Sequence, residues 1–293
     1  MIKKLGVDIG GTSIKIGVVS AGKVLEKMIF PIRKGNSQKA LLDLIINSIS
    51  RMDSTSIVSL GIGCPGVIDP SGTIFFSPHL PLQGVNLNKV LYSRFKKPIY
   101  MDNDANCFVL AEKLFGSAQQ YHDIIGVTWG TGIGGGIILG DMLHRGSSNT
   151  TELGHISVRY NGIKSACGNR GCLEQTLLDI KGKPSYAELY ARALSGSGKA
   201  LSLWKHLGYV MGVGIANYIQ ILDPEAVVIG GKVTNAWRFF GPELVCTVQK
   251  RTISQNCRLL RSKMVATAGI LGAASLNSNV YNKMPHLRAS PNL

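Results

Sequence analysis

The residues best spaced for chemistry are carboxylates, glycine turns and a cysteine pair. Asp102-Asn-Asp-Ala-Asn106 follows a short apolar run, Ile99 to Met101, and opens a helix expected over 105–115. Asp and Asn are favoured helix N-caps, and Asp104 would serve as one. Three consecutive polar side chains exceed what one cap needs, however. A carboxylate at the carboxyl end of a strand, facing a ligand cleft, is placed to accept the proton of an attacking hydroxyl. Asp104 is therefore the candidate general base.

Two glycine-rich stretches offer the complementary function. In Asp8-Ile-Gly-Gly-Thr-Ser-Ile-Lys15, Gly10 and Gly11 let the backbone turn its N–H groups toward a ligand. Thr12 and Ser13 add hydroxyls and Lys15 a positive charge, so the turn would cradle an anion. Asp8, at its mouth, is placed to hold a magnesium ion. Gly130-Thr-Gly-Ile-Gly-Gly-Gly136 contains G-x-G-x-x-G, but a dinucleotide fold requires a helix directly after the glycines. Ile137-Ile-Leu139 instead reads as a strand entering a turn at Gly140-Asp141, which makes this a second phosphate loop. Glu152-Leu-Gly-His155 has i, i+3 spacing and, if helical, would let Glu and His bracket adjacent hydroxyls of a polyol. Cys167-Gly-Asn-Arg-Gly-Cys172 closes a small loop that, with His155, offers three zinc ligands. Ser165 stands where a fourth would complete a structural site.

The elements that must position these groups repeat. Leu5 to Ser20 lies over Ile125 to Gly140 at a constant offset of 120 residues without gaps. Each copy reads as strand, glycine turn, strand, short turn and third strand, at Val24 to Phe30 in the first and Met142 to His144 in the second. Helix and strand then alternate. In the first half, helices are expected over 38–52, 87–95 and 105–115, and strands over 57–64 and 98–102. In the second half, helices are expected over 186–194, 202–222 and 270–276, and strands over 226–229 and 263–266. This is an α/β pattern with a parallel component. It divides into 1–117 and 118–276, with the last helix (269–276) packing back on the first domain and a loose tail at 277–293. Two facing copies leave a cleft with both glycine turns pointing into it.

Composition narrows the classes further. The 293 residues carry 32 Lys+Arg against 17 Asp+Glu, a net +15, which favours anionic partners. The positive residues are scattered in twos and threes without aromatic interleaving or a binding motif, so no nucleic-acid role is expected. No apolar run reaches the ~18 residues of a membrane span. Asp8 and the glycine pair interrupt the start before it resembles a signal peptide, so a cytoplasmic chain with reduced thiols is expected.

With these motifs in hand, the chain resembles the ROK family of sugar kinases and related repressors, within the actin-like ATPase (ribonuclease H-like) superfamily that includes the hexokinases. The resemblance covers nearly the whole chain. It rests on Asp8-Ile-Gly-Gly-Thr, Asp102-Asn-Asp-Ala-Asn, Gly130-Thr-Gly-Ile-Gly-Gly-Gly, Glu152-Leu-Gly-His and Cys167-Gly-Asn-Arg-Gly-Cys-Leu-Glu. It implies two actin-like ATPase domains with an interdomain cleft, ATP and magnesium as cofactors, a hexose as substrate, and a homodimer. Asp104 would be the base on the sugar 6-hydroxyl. Asn103, Glu152, His155 and Glu174 would hold the sugar, with Gly66 beside the ring. Gly10 and Gly11, together with Gly130, Thr131, Gly132 and Gly134, would flank the ATP phosphates, and Gly230-Gly231 would lie against the adenosine. A structural zinc would sit on His155, Cys167 and Cys172. The chain departs from the family pattern at Ser165 (usually Cys), His79 (usually a sugar-contacting Asn) and Lys232 (usually Gly). A glucokinase is the first expectation and an N-acylhexosamine kinase the second. The repressors carry a helix-turn-helix ahead of the kinase-like part, for which a first strand starting by residue 5 leaves no room.

Overall fold

The computed structural model describes residues 2–77, 80–146 and 151–278. Its first half opens with an antiparallel meander of β1 (Lys3–Ile9), β2 (Ser13–Ser20) and β3 (Lys23–Pro31). Helix α1 (Gln38–Ser50) follows, capped by Ser37, whose hydroxyl accepts from the Ala40 N–H at 3.2 Å. Next come β4 (Ile57–Cys64), a small hairpin of β5 (Val67–Ile68) and β6 (Ile74–Phe76), α2 (Leu87–Phe95), β7 (Ile99–Asn103) and α3 (Asp104–Phe115). The sheet order is β3-β2-β1-β4-β7, with β1, β4 and β7 parallel. Strands β1 and β4 are buried along most of their length, which is why they read as continuous Val/Ile/Leu runs rather than alternating ones. The edge strand β3 carries Lys23, Glu26 and Lys27 and stays largely exposed.

The second half repeats the plan with β8 (Ile124–Trp129), β9 (Ile133–Leu139) and β10 (Met142–His144). It continues with α4 (Leu173–Lys181), α5 (Tyr186–Leu194), α6 (Gly198–Leu222), β11 (Ala226–Gly230), α7 (Trp237–Arg251), β12 (Arg258–Arg261) and α8 (Ala268–Ala274). Its sheet order is β10-β9-β8-β11-β12, with β11 parallel to β8 and β12. The same order of meander strands and parallel strands in both sheets is the internal repeat seen at the 120-residue offset.

Contacts group the chain into two units, one of Met1–His122, Gly136–Thr151 and the segment from Ala266, the other of Asp123–Gly135 and Glu152–Val265. Where the sequence suggests a single break at 117/118, these units are discontinuous. In the first, α8 lies on β1 and β4 so closely that only glycine fits beneath it. A Cβ on Gly6 would stand 2.0 Å from the Ile270 carbonyl oxygen, and one on Gly61 would stand 1.8 Å from that of Ala273. Leu41, Ile45 and Ile49 of α1 join Leu5, Val7, Ile16 and Ile62 in the main core of this unit.

Some elements differ from expectation. The last strand is β12 at 258–261 rather than 263–266, because Leu259 and Leu260 register with Val227 and Val228 although arginines flank them. Helices α4 and α7 were not anticipated, and α7 contains Pro242, which reads as a helix breaker. The expected tail from 277 lies beyond the described residues except for Asn277 and Ser278. Among the described residues, no helix is long and apolar enough to cross a membrane.

Candidate functional site

In the first unit, β7 delivers its polar end directly into α3. The N-cap is Asn103 rather than Asp104, and its Oδ1 accepts from the Ala105 N–H at 2.8 Å. This leaves Asp104 as the first residue of the helix, half-buried, with its carboxylate near the positive end of the helix dipole. The Asn103 amide donates to the Gly66 carbonyl at 3.1 Å, which joins two of the expected sugar-side residues. Gly66 has φ +116°, and a Cβ there would meet the Phe76 carbonyl oxygen at 2.1 Å, so the loop after β4 requires glycine. Asp102, fully buried, is held by the guanidinium of Arg145, which donates to Oδ2 from Nε at 2.9 Å and Nη2 at 2.8 Å. Its Oδ1 accepts from the Asn103 N–H at 2.7 Å and from the Asn106 amide at 2.8 Å. Arg145 carries no local sequence signal, because 43 residues separate it from its partner.

The first glycine turn closes with a Gly10 N–H to Ser13 carbonyl bond of 2.9 Å. Gly11 and Thr12 at its tip are exposed. Asp8 and Lys15 face each other across β1 and β2, and the ammonium meets the Asp8 Oδ2 at 2.6 Å. The two residues expected to act on a metal and on an anion thus form a pair with each other. Asp8 and Asp104 both bear on one buried thiol: burial first, then the charges of Asp104 and Asp8, push the Cys64 pKa up.

The second unit holds the other turn, where the Gly130 N–H bonds the Gly132 carbonyl at 3.0 Å and Thr131 is exposed. Glu174, on the first turn of α4, accepts from the Ile133 N–H at 2.6 Å and lies against Gly132, where a Cβ would stand 2.3 Å from its Oε2. An expected sugar ligand therefore also braces the second glycine turn. Beside this turn is a cavity of about 500 Å³ lined by Gly130, Thr131, Lys181, Tyr186, Trp204 and Lys232, among others. Its aromatic wall is fixed by ring contacts: Tyr186 meets Trp129 and Trp204 at 5.9 Å each, and Phe240 meets Trp129 at 4.9 Å. Burial pushes the Tyr186 hydroxyl pKa up to about 12, so it remains a neutral group. Gly230 and Gly231 immediately precede Lys232 in the wall. Gly231, at φ +92°, packs on the Trp129 backbone, with a virtual Cβ 2.3 Å from its carbonyl oxygen. Such a cavity, apolar with a few cations at its margin and a phosphate turn at one side, suits a nucleotide. Its lining aromatics, Tyr186, Tyr190 and Trp204, and the rings of Trp129 and Phe240 that they contact are scattered along the chain and give no local sequence signal.

Glu152 and His155 are brought together as their spacing predicts, by a 3-10 turn over Leu153–His155, with Oε2 and Nε2 3.9 Å apart. His155, Cys167 and Cys172 each place a donor atom within 4.8 Å of the others, and the two sulfurs are 3.5 Å apart. His155 Nδ1 is buried without a hydrogen-bond partner, and the contact with Ser165 and the Asn169 N–H draws the Cys167 thiol pKa down to about 7. Two thiols and an imidazole are three donors of the kind that hold zinc, with the Ser165 hydroxyl, 3.5 Å from Cys167, standing where a fourth ligand would be. His79 lies outside the described residues.

The ROK family model matches residues 4–280. The chain is 34% identical to the glucokinase of Thermotoga maritima, over 94% of this chain and 97% of that protein. It is 30% identical to the xylose repressor of Caldicellulosiruptor bescii, over 93% of this chain and 77% of the repressor. The crystal structure of a ROK family glucokinase from Streptomyces griseus in complex with glucose and AMPPNP superposes with a TM-score of 0.82 at 28% identity, covering 94% of this chain and 98% of that one.

Proposed function

Because the chain belongs to the ROK family, we propose that it is an ATP-dependent hexose kinase transferring the γ-phosphoryl group to a sugar 6-hydroxyl, with glucose the first candidate. The observation that carries this reading is the half-buried carboxylate of Asp104, set at a strand-to-helix junction in the same unit as the Asp8–Lys15 turn. Asp104 accepts the hydroxyl proton as the sugar oxygen attacks phosphorus, and ADP leaves with the bridging oxygen. Asn103 and Gly66, joined by their hydrogen bond, are assigned to orienting the sugar. Glu152 and His155 are assigned as a polyol-bracketing pair. The nucleoside lies in the aromatic cavity, with the Gly130 turn directing backbone N–H groups at its phosphates. Asp8 would hold magnesium, which would supply charge neutralisation at the transferred group. His155, Cys167 and Cys172 would hold a zinc ion, whose role would be structural, ordering the loop that leads into Glu174.

The test is a coupled ADP-release assay over a panel of hexoses and N-acylhexosamines with ATP, GTP and polyphosphate. Glucose-dependent ADP release supports the reading, and absence of turnover with every sugar removes it. The similarity to a repressor favours a second reading, a sugar-responsive regulator. Calorimetric sugar binding without any phosphoryl transfer would select it.

A further inference from the structure

Nothing in the reading above uses Arg145, yet it is among the most heavily engaged side chains of the first unit. We infer that Arg145 is a positioning residue for Asp104, clamping Asp102 so that the segment carrying the base is both fixed in place and electrically balanced. The inference rests on the proposed kinase reading.

The geometry of the clamp is specific. Arg145 is 6% exposed and Asp102 0%, so neither charge is screened by solvent. Two guanidinium nitrogens converge on Oδ2, at 2.9 and 2.8 Å. The other oxygen accepts from the backbone N–H of Asn103 and the side chain of Asn106, at 2.7 and 2.8 Å. One carboxylate therefore ties residue 103 to residue 106, and Asp104 lies between the two tied points. Loss of the guanidinium would free Oδ2 and loosen the turn that aims the base. Lysine cannot reproduce the two-pronged grip.

The clamp also sets the local field. Among the described residues, the charged groups gathered here include Asp8 from β1, paired with Lys15 from β2, Asp102 from β7, Asp104 from α3 and Arg145 from the chain after β10. The buried thiols of Cys64 on β4 and Cys107 on α3 face the same charges. Burial pushes the Cys107 pKa up, the three carboxylates add to that, and Arg145 pulls it down. Without Arg145, Asp102 becomes an unbalanced negative charge two residues from the base. A neighbouring negative charge disfavours ionisation, so the Asp104 pKa would rise and the base would be protonated at a higher pH. Removing both members of the pair should restore the balance.

The experiment compares wild type, Arg145→Met, Arg145→Lys and the double variant Asp102→Asn/Arg145→Met, reading kcat, both KM values and the pH dependence of kcat/KM. Arg145→Met is expected to lower kcat by about 10-fold or more, to leave the ATP KM within about twofold, and to move the acid limb up by ~0.5 pH unit or more. The double variant should return the acid limb to its wild-type position. If Arg145→Met does not fold, Arg145→Lys serves, with lower kcat and an unmoved acid limb, since charge is kept and the grip is lost. A folded Arg145→Met protein with wild-type kcat and acid limb overturns the inference. So does a fall in thermal stability with no change in acid limb or in the kcat-to-KM pattern, which is what a merely structural pair would give. Failure of the wild type to phosphorylate any sugar in the panel overturns the kinase reading, and the inference with it.

Discussion

At the first glycine turn the Gly10 N–H meets the Ser13 carbonyl at 2.9 Å, and at the second the Gly130 N–H meets the Gly132 carbonyl at 3.0 Å. Both turns join two antiparallel strands, both expose a threonine beside the glycines, and both sit at the head of a meander that continues into parallel strands. Their charge is supplied differently. The first turn carries its own carboxylate and ammonium, Asp8 and Lys15, paired across the strands at 2.6 Å. The second carries no charged side chain. It borrows Glu174 from the start of α4, which accepts from the Ile133 N–H at 2.6 Å, and has an aromatic cavity at its side. On the proposed reading, the two copies share a backbone turn able to approach phosphate, while their side chains serve metal and proton work at one copy and nucleoside binding at the other.

Breaking the first copy should cost turnover, and breaking the second should cost binding. Asp104→Asn is expected to reduce kcat by about 10²–10⁴-fold while calorimetric sugar binding survives. Normal turnover in that variant would show that Asp104 is not the base. Asp8→Asn should cost about 10²-fold in kcat and raise the magnesium concentration needed for half-maximal rate, because it removes the carboxylate assigned to the ion. Unchanged magnesium dependence would show that the Asp8–Lys15 pair only joins the strands. Glu174→Gln weakens a charge-assisted bond to the second turn, worth about 1.5–3 kcal/mol, and should raise KM by roughly 10-fold or more with a smaller effect on kcat. If it instead matched Asp8→Asn in kcat, the contrast between the turns would fall. Tyr186→Ala should raise the ATP KM by about 10-fold and leave the sugar KM alone, as measured by initial rates. The smallest effect expected is on stability. Stripping metal with a chelator should lower the melting temperature by a few degrees, since a three-ligand site contributes less than a four-ligand one, and metal content by mass spectrometry would check it.

How far these features can be read without a structure depends on whether their partners are neighbours in the chain. The paired meanders are legible because Val, Ile and Gly at strand-turn-strand spacing dictate them locally. Tyr186–Leu194 is legible because Ser185 and Glu188 form a capping box at its start. The Glu152 and His155 pair is legible because one helical turn suffices to join them. The aromatic wall is not, since Trp129, Tyr186, Trp204 and Phe240 meet only after four elements have packed. Arg145 is hidden for the same reason. Asn103 rather than Asp104 is the cap because the strand continues two residues past its apolar run and the helix starts directly after it, which no local preference could decide. Strand β12 was misplaced because its pairing with β11, rather than its own composition, makes it a strand.

The seat of α8 on Gly6 and Gly61 has a consequence for how the protein is made. Strand β1 leaves the ribosome about 260 residues before the helix that roofs it. Throughout most of synthesis, therefore, the inner sheet of the first unit has a bare apolar side. A larger side chain at either glycine would keep that roof off permanently, and the nascent chain would depend on chaperones that shield the opening until the last helix arrives.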